Sequence, residues 1–135
     1  MIDRFKVAKV FSDKAYLASG NVDFISNGEE YSPNINKPYI LEKLTYGSNS
    51  SLGTASTDSD ISRGVYMLRI FVPKINAGNK WQGLQIADDL QIEFPKFEKL
   101  NDSPLIMTRE TFLSDLVTGS AHNYYDLDVR FTITG

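Results

Sequence analysis

A chain of 135 residues with 41% hydrophobic content is long enough for one domain with a buried core and too short for two. Seventeen acidic residues against fourteen basic ones give a net charge of -3, and the basic residues are scattered, which argues against a grip on nucleic acid through phosphate neutralisation. The absence of cysteine excludes disulfides, thiolate chemistry and cysteine-held zinc.

The N-terminal stretch alternates charged and apolar residues from Asp3 to Lys14, unlike the apolar core of a signal peptide. Nowhere is there an apolar run long enough to span a bilayer as a helix. The expectation is a soluble protein, intracellular where it is made, with no membrane partner.

From Ile2 to about Ala18, the apolar residues Phe5, Ala8, Phe11, Ala15 and Ala18 follow helical spacing and predict a first helix, stopped at Gly20. The stretch that follows, through Lys37, mixes Asn, Gly, Pro and Ser with isolated apolar residues. It reads as an irregular connection that pins Phe24 and Tyr31 to the core. Tyr39 to Tyr46 reads as the first strand, entered through Pro38, with Ile40, Leu44 and Tyr46 on a face that also carries Glu42. The polar segment Gly47 to Ser62 exceeds any hairpin loop; it is either a flexible tip or a functional projection.

The clearest signal lies in Arg63 to Phe94. Gly64 precedes a run from Val65 to Val72 rich in β-branched and aromatic residues, and Pro73 ends it by removing a backbone donor. Period two puts Tyr66, Leu68, Ile70 and Val72 on one face and Val65, Met67, Arg69 and Phe71 on the other, so this is a central strand whose pattern only Arg69 breaks. The period then changes. Ala87, Leu90 and Phe94, flanked by Leu84 and Ile86, mark a helix with one buried stripe, with Asn79 as its N-cap and Pro95 as its stop. Gly83 falls in that stripe, where a missing side chain would let the helix approach a sheet closely.

Lys96 to Ser103 reads as a charged turn and Pro104 to Thr108 as a short strand. Thr111 to Val117 fits either a strand or a helical turn, and strand is the reading adopted. Tyr125, Leu127, Val129, Phe131 and Ile133 then alternate without error against polar neighbours, giving a strand with one buried and one wet face. This order of elements predicts a single α+β domain spanning residues 1–135, an antiparallel sheet with helices packed on one face.

Residues able to carry chemistry are sparse. His122, the single histidine, sits among Ser120, Ala121 and Asn123 and reads as a surface residue in a turn. Asp126 and Asp128 share a strand face and could geometrically join in holding a cation, whereas Asp88 and Asp89 point apart on a helix; with no further ligands at metal spacing, both pairs read as solvated. Gly78 and Gly83 are followed by Leu84 and Gln85 where a phosphate-binding loop would carry Lys and Ser or Thr. No catalytic residue, metal ligand or cofactor is therefore expected. The informative residues are Arg69, a charge in an apolar strand that needs a carboxylate or a neighbouring subunit, Trp81, a possible interface anchor, and Asp58 and Asp60 in the long polar loop. These four are the candidate subunit or tube interface.

Asn34 to Leu41 (NINKPYIL), the Gly64 strand closing at Val72-Pro73, the loop with Gly78, the Ile86-Ala87-Asp88-Asp89-Leu90 helix core ending at Phe94, and the final strand closing at Ile133 together resemble the phage tail terminator, or tail completion, proteins. The likeness is to the lambda-type minor tail protein U group, and it covers most of the chain through structural positions, without a catalytic motif. It implies a homohexameric ring that caps the tail tube, stops its polymerisation and offers a head-joining surface. The implied partners are other copies of the chain, a tail tube protein and a head-tail connector protein. DNA would pass through unread, and the protein would be made in the host bacterial cytoplasm and reside in the virion tail. The alternatives are a head-closure or neck connector protein, or a small ligand-binding domain unrelated to phage.

Overall fold

The computed structural model describes residues 3–51, 60–74 and 79–134. Its elements run α1 (Arg4–Ser19), β1 (Asp23–Ser26), β2 (Tyr39–Ser51), β3 (Asp60–Pro73), α2 (Asn79–Ile92), β4 (Lys99–Asn101), β5 (Leu105–Leu113) and β6 (His122–Thr134). The six strands form one sheet in the order β1-β2-β3-β6-β5-β4, antiparallel throughout except for the parallel pair β1–β2. Both helices lie on one side of it, α1 against β1, β2 and α2, and α2 also against β3 and β6. The chain is thus an α+β protein with helices on a single face.

β3 is central because both of its edges are filled. It pairs with β2 on one side and along its length with β6 on the other, from Ile61↔Thr134 to Pro73↔His122. Its helix-side residues Tyr66, Leu68, Ile70 and Val72 are at most 1% exposed, and Leu127, Val129, Phe131 and Ile133 of β6 complete the same layer. An aromatic knot of Phe11, Tyr66, Phe94 and Phe131 joins the two layers, with centroids 4.6 Å apart for Phe11–Phe131 and 4.8 Å for Phe11–Tyr66. Close-packed rings of this kind account for much of the apolar area removed from water.

Two glycines set how closely layers meet. A Cβ on Gly64 would stand 2.6 Å from Phe131 Cζ and 2.5 Å from the Thr45 carbonyl oxygen, so the Phe131 ring occupies the space a side chain would need. A Cβ on Gly83 would stand 2.9 Å from Tyr125 Cε2 and 3.0 Å from Val72 Cγ1, which confirms the close approach of α2 to the sheet.

Several boundaries differ from the sequence reading. Asp3 caps α1, its side chain accepting from the backbone N–H groups of Phe5 and Lys6, and the buried stripe is Val7, Phe11, Ala15 and Ser19. Phe5 is 75% exposed: at about 100° per residue it lies about 120° from Phe11, whereas Val7 lies about 40° away. The connection before Lys37 contains β1, and of its two aromatics only Phe24 packs on the core; Tyr31 lies tilted against Tyr39, 5.1 Å away, and donates to Asp23 Oδ2. β2 and β3 reach into the segment read as a polar loop, with a register shift between Tyr46 and Asn49, and residues 52–59 lie outside the described residues. The charged turn holds β4, and β5 continues past Thr108 to Leu113 through a bulge. Val117 makes an isolated bridge to Tyr124. Asn79 is the first residue of α2 itself, and its side chain is outside the described set.

Glu42 was the polar exception on the helix-side face of β2. It is 8% exposed and accepts three hydroxyl hydrogen bonds: Tyr66 Oη to Oε1 at 2.6 Å, and Ser12 Oγ and Ser26 Oγ to Oε2 at 2.9 and 2.6 Å. One carboxylate thereby ties α1, β1, β2 and β3 together.

Candidate functional site

With both helices on one side, the other side of the sheet is an open face. Strand alternation brings Val65, Met67, Arg69 and Phe71 to it, all half-buried, where the helix-side row of the same strand is fully buried. Apolar and aromatic side chains on an uncovered sheet face define the surface best suited to meeting another protein.

Arg69 lies near the middle of this face. The β3–β6 register sets it opposite Asp126, and the pair is bidentate, Nε to Oδ1 at 2.8 Å and Nη2 to Oδ2 at 3.1 Å. The guanidinium also lies 4.2 Å over the Tyr124 ring. The charge therefore has its carboxylate partner within the domain and still stands on the open face, with the two side chains 31% and 21% exposed. Held in this way, Arg69 presents a fixed and partly desolvated cation, which loses little further freedom if a neighbour docks on it.

An aromatic row flanks the ion pair. Tyr39, Phe71 and Tyr124 are register partners on β2, β3 and β6, with Tyr39 and Phe71 stacked at 4.2 Å and Phe71 to Tyr124 at 5.5 Å; Tyr31 extends the row. His122 closes its end and is not in a turn. It is the first residue of β6, 6% exposed, edge-on to Tyr39 at 5.1 Å, with Nε2 2.9 Å from the Lys37 carbonyl oxygen. Pairing with Pro73 and packing against two rings draw it under cover, and its ring serves structure. A shallow depression of about 400 Å³ beside it is walled by Pro33, Ile35, Tyr39, Phe71 and Tyr124.

Asp126 and Asp128 do share the open face. Asp126 is engaged by Arg69, and burial, followed by the nearby Asp126, pushes the Asp128 carboxyl above its ordinary value against the opposing pull of Arg130 and Arg69. Among the described residues no group of three or more acidic or histidine side chains is placed to hold a metal ion.

Of the four residues proposed from the sequence, Arg69 and Trp81 are fully described, and they lie on opposite sides of the sheet. Arg69 is on the open face. Trp81 is on α2, in the opposite layer, and is 64% exposed. Asp60 begins β3 opposite Ser51, with its side chain outside the described set, and Asp58 falls outside the described residues. Sequence reasoning passed over the aromatic row because Tyr39, Phe71 and Tyr124 are distant in the chain and meet only through strand register. It noted Glu42 on an apolar face without assigning it partners; a charge in that pattern was the available signal.

These features define an α+β domain of helices on one side of a sheet, with an open, aromatic second face. No protein-family profile and no curated protein matches the sequence. Among solved structures that match, one superimposes with a TM-score of 0.74 at 15% identity, over 98% of this chain and 96% of its own. The name it carries states no function, and at that identity the likeness concerns the fold.

Proposed function

We propose that the chain is a phage virion structural protein, a tail terminator whose copies form a ring on the end of the tail tube, stop its growth and present the surface that joins the head. The observation that carries this reading is the open sheet face, where an aromatic row and a rigid Arg69–Asp126 pair are half-buried in a single subunit. Such a face suits repeated contact between proteins better than it suits turnover of a small substrate. The sequence resemblance to tail terminators supplies the biological setting, with a tail tube protein and a head-tail connector protein as further partners and the virion tail as the location.

The test is to image the purified chain by electron microscopy and add it to tail tube protein during polymerisation. Six-fold rings and arrested tube growth are the expected results. A monomer at every concentration, together with undiminished growth, overturns the reading. A neck connector has similar requirements for a ring, and binding to head portals in preference to tube ends would assign the chain to that role.

A further inference from the structure

A cleft of about 540 Å³ opens between α1 and β2, on the side of the sheet away from the aromatic row. Its size falls within the roughly 300–1,000 Å³ of small-ligand sites. Phe5 and Ala8 of α1 and Leu44 of β2 give it apolar walls, and Ser12, Ser26, Glu42 and Tyr66 give it a polar base. The walls and the base pose different chemical demands.

A carboxylate offers four lone-pair positions. In Glu42 three are taken by hydroxyl donors, two on Oε2 and one on Oε1, which leaves a position on Oε1. The donors are neutral, so they solvate the charge without cancelling it. Among the described residues none of the ion pairs reaches Glu42; of the two lysines in the lining, Lys9 is held by Asp13 at 2.8 Å, and Lys43, next to Glu42 on β2, is exposed and set toward the other face by strand alternation. An anionic group 8% exposed at the base of an open cleft, with a hydroxyl cage already oriented, favours a cation over water. The apolar walls favour a cation carried on a hydrocarbon stem, and the ring of Phe5, exposed and part of the lining, offers such a cation a π face.

We infer that this cleft is a binding site for an alkylammonium or alkylguanidinium group, with Glu42 as its anionic acceptor. The group could belong to a free amine or to a lysine or arginine side chain of another protein; the chemistry is the same. The inference is independent of whether the chain caps a tail.

The probe is butylguanidinium, titrated into the isotopically labelled protein and followed by amide NMR shifts, with butylurea as its neutral isostere. Saturable shifts at Ser12, Ser26 and Leu44 with butylguanidinium, and about tenfold or more weaker binding of butylurea, are expected from one charge-assisted hydrogen bond. Glu42→Gln should weaken butylguanidinium by a similar factor. Because that variant disturbs the hydroxyl cage, Ala8→Leu provides a second arm: it fills the cleft from the helix wall, leaves the cage untouched and should abolish the shifts. Absence of saturable shifts in the unmodified protein, equal binding of the urea, or unchanged binding by Ala8→Leu overturns the inference. Tighter binding of N-acetylarginine amide than of agmatine assigns the site to a protein side chain, and the reverse order assigns it to a free amine.

Discussion

The Tyr66 hydroxyl donates to Glu42 Oε1 across the β2–β3 pair at 2.6 Å, although register sets Glu42 opposite Leu68 and Tyr66 opposite Leu44. The bond is therefore diagonal, and it carries a buried ring and a buried carboxylate in one contact. Burial, and then the charge of Glu42, push the Tyr66 phenol far above its ordinary value. Tyr66→Phe keeps the ring and removes the donor, and should cost about 1.5–3 kcal/mol as the loss of a hydrogen bond to a charged group. Urea unfolding would measure this, and a loss below about 0.5 kcal/mol would show that water replaces the hydroxyl.

Gly83 offers a test in which two effects have opposite signs. Replacing a mid-helix glycine by alanine ordinarily gains up to about 1 kcal/mol. Here the new methyl would stand 2.9 Å from the Tyr125 ring and 3.0 Å from Val72 Cγ1, both packed beneath α2. Displacing packed side chains costs about 1–3 kcal/mol. Gly83→Ala should therefore lower the melting temperature, and a stabilised variant would mean that Tyr125 yields freely.

Arg69→Ala should separate stability from assembly. The pair with Asp126 is partly exposed, so solvent screening limits what it adds to folding to about 1 kcal/mol or less. Under the proposed ring assembly, its position on the open face predicts a much larger loss in association between copies. Thermal melting beside sedimentation of the assembled species would check this. Normal assembly in a variant that melts normally would remove Arg69 from the interface.

Asp128 makes a prediction about pH. Its carboxyl is held above the ordinary 3.8, first by burial and then by Asp126, so the folded state binds the proton more tightly than the unfolded chain does. The stabilising contribution of the protonated form is complete below the ordinary value and is lost as pH rises through the folded value. At neutral pH the ionised group is therefore a net cost. Asp128→Asn should raise the melting temperature at pH 7, with the gain shrinking toward zero below about pH 4. A gain that persisted unchanged at pH 3 would mean that packing, and not ionisation, is responsible.

Most of the central architecture was legible in the sequence because it rests on periodicity. Val65 to Val72, the Ala87 and Leu90 stripe, and the alternation ending at Ile133 each repeat often enough to specify both element and face, whereas Phe94, read as the end of that stripe, is buried beyond the end of α2 at Ile92. β1 and β4 were not legible: four residues, Asp23–Ser26, and three, Lys99–Asn101, are strands only because β2 and β5 offer edges to pair with. The same limit applies to the site. Arg69 stood out as a charge among apolar neighbours, but its partner Asp126 and the stacking of Tyr39 on Phe71 follow from register, which no local pattern carries. His122 was misread because the Gly119 and Ser120 beside it signal a turn, while burial comes from rings supplied by β2 and β3.

The position of β6 between β3 and β5 has a consequence for a chain leaving the ribosome. β3 is complete at Pro73, but the strand that fills its second edge does not begin until His122, and β5 likewise has no place in the sheet until β6 arrives. At about 5–20 residues per second that interval lasts several seconds, and a β3 that forms within it has one edge without its partner. In the sheet, β6 is the strand that joins β1-β2-β3 to β5-β4, so its pairing is the step that closes the strand order. Any chaperone contact made during synthesis has its natural target in that exposed edge of β3.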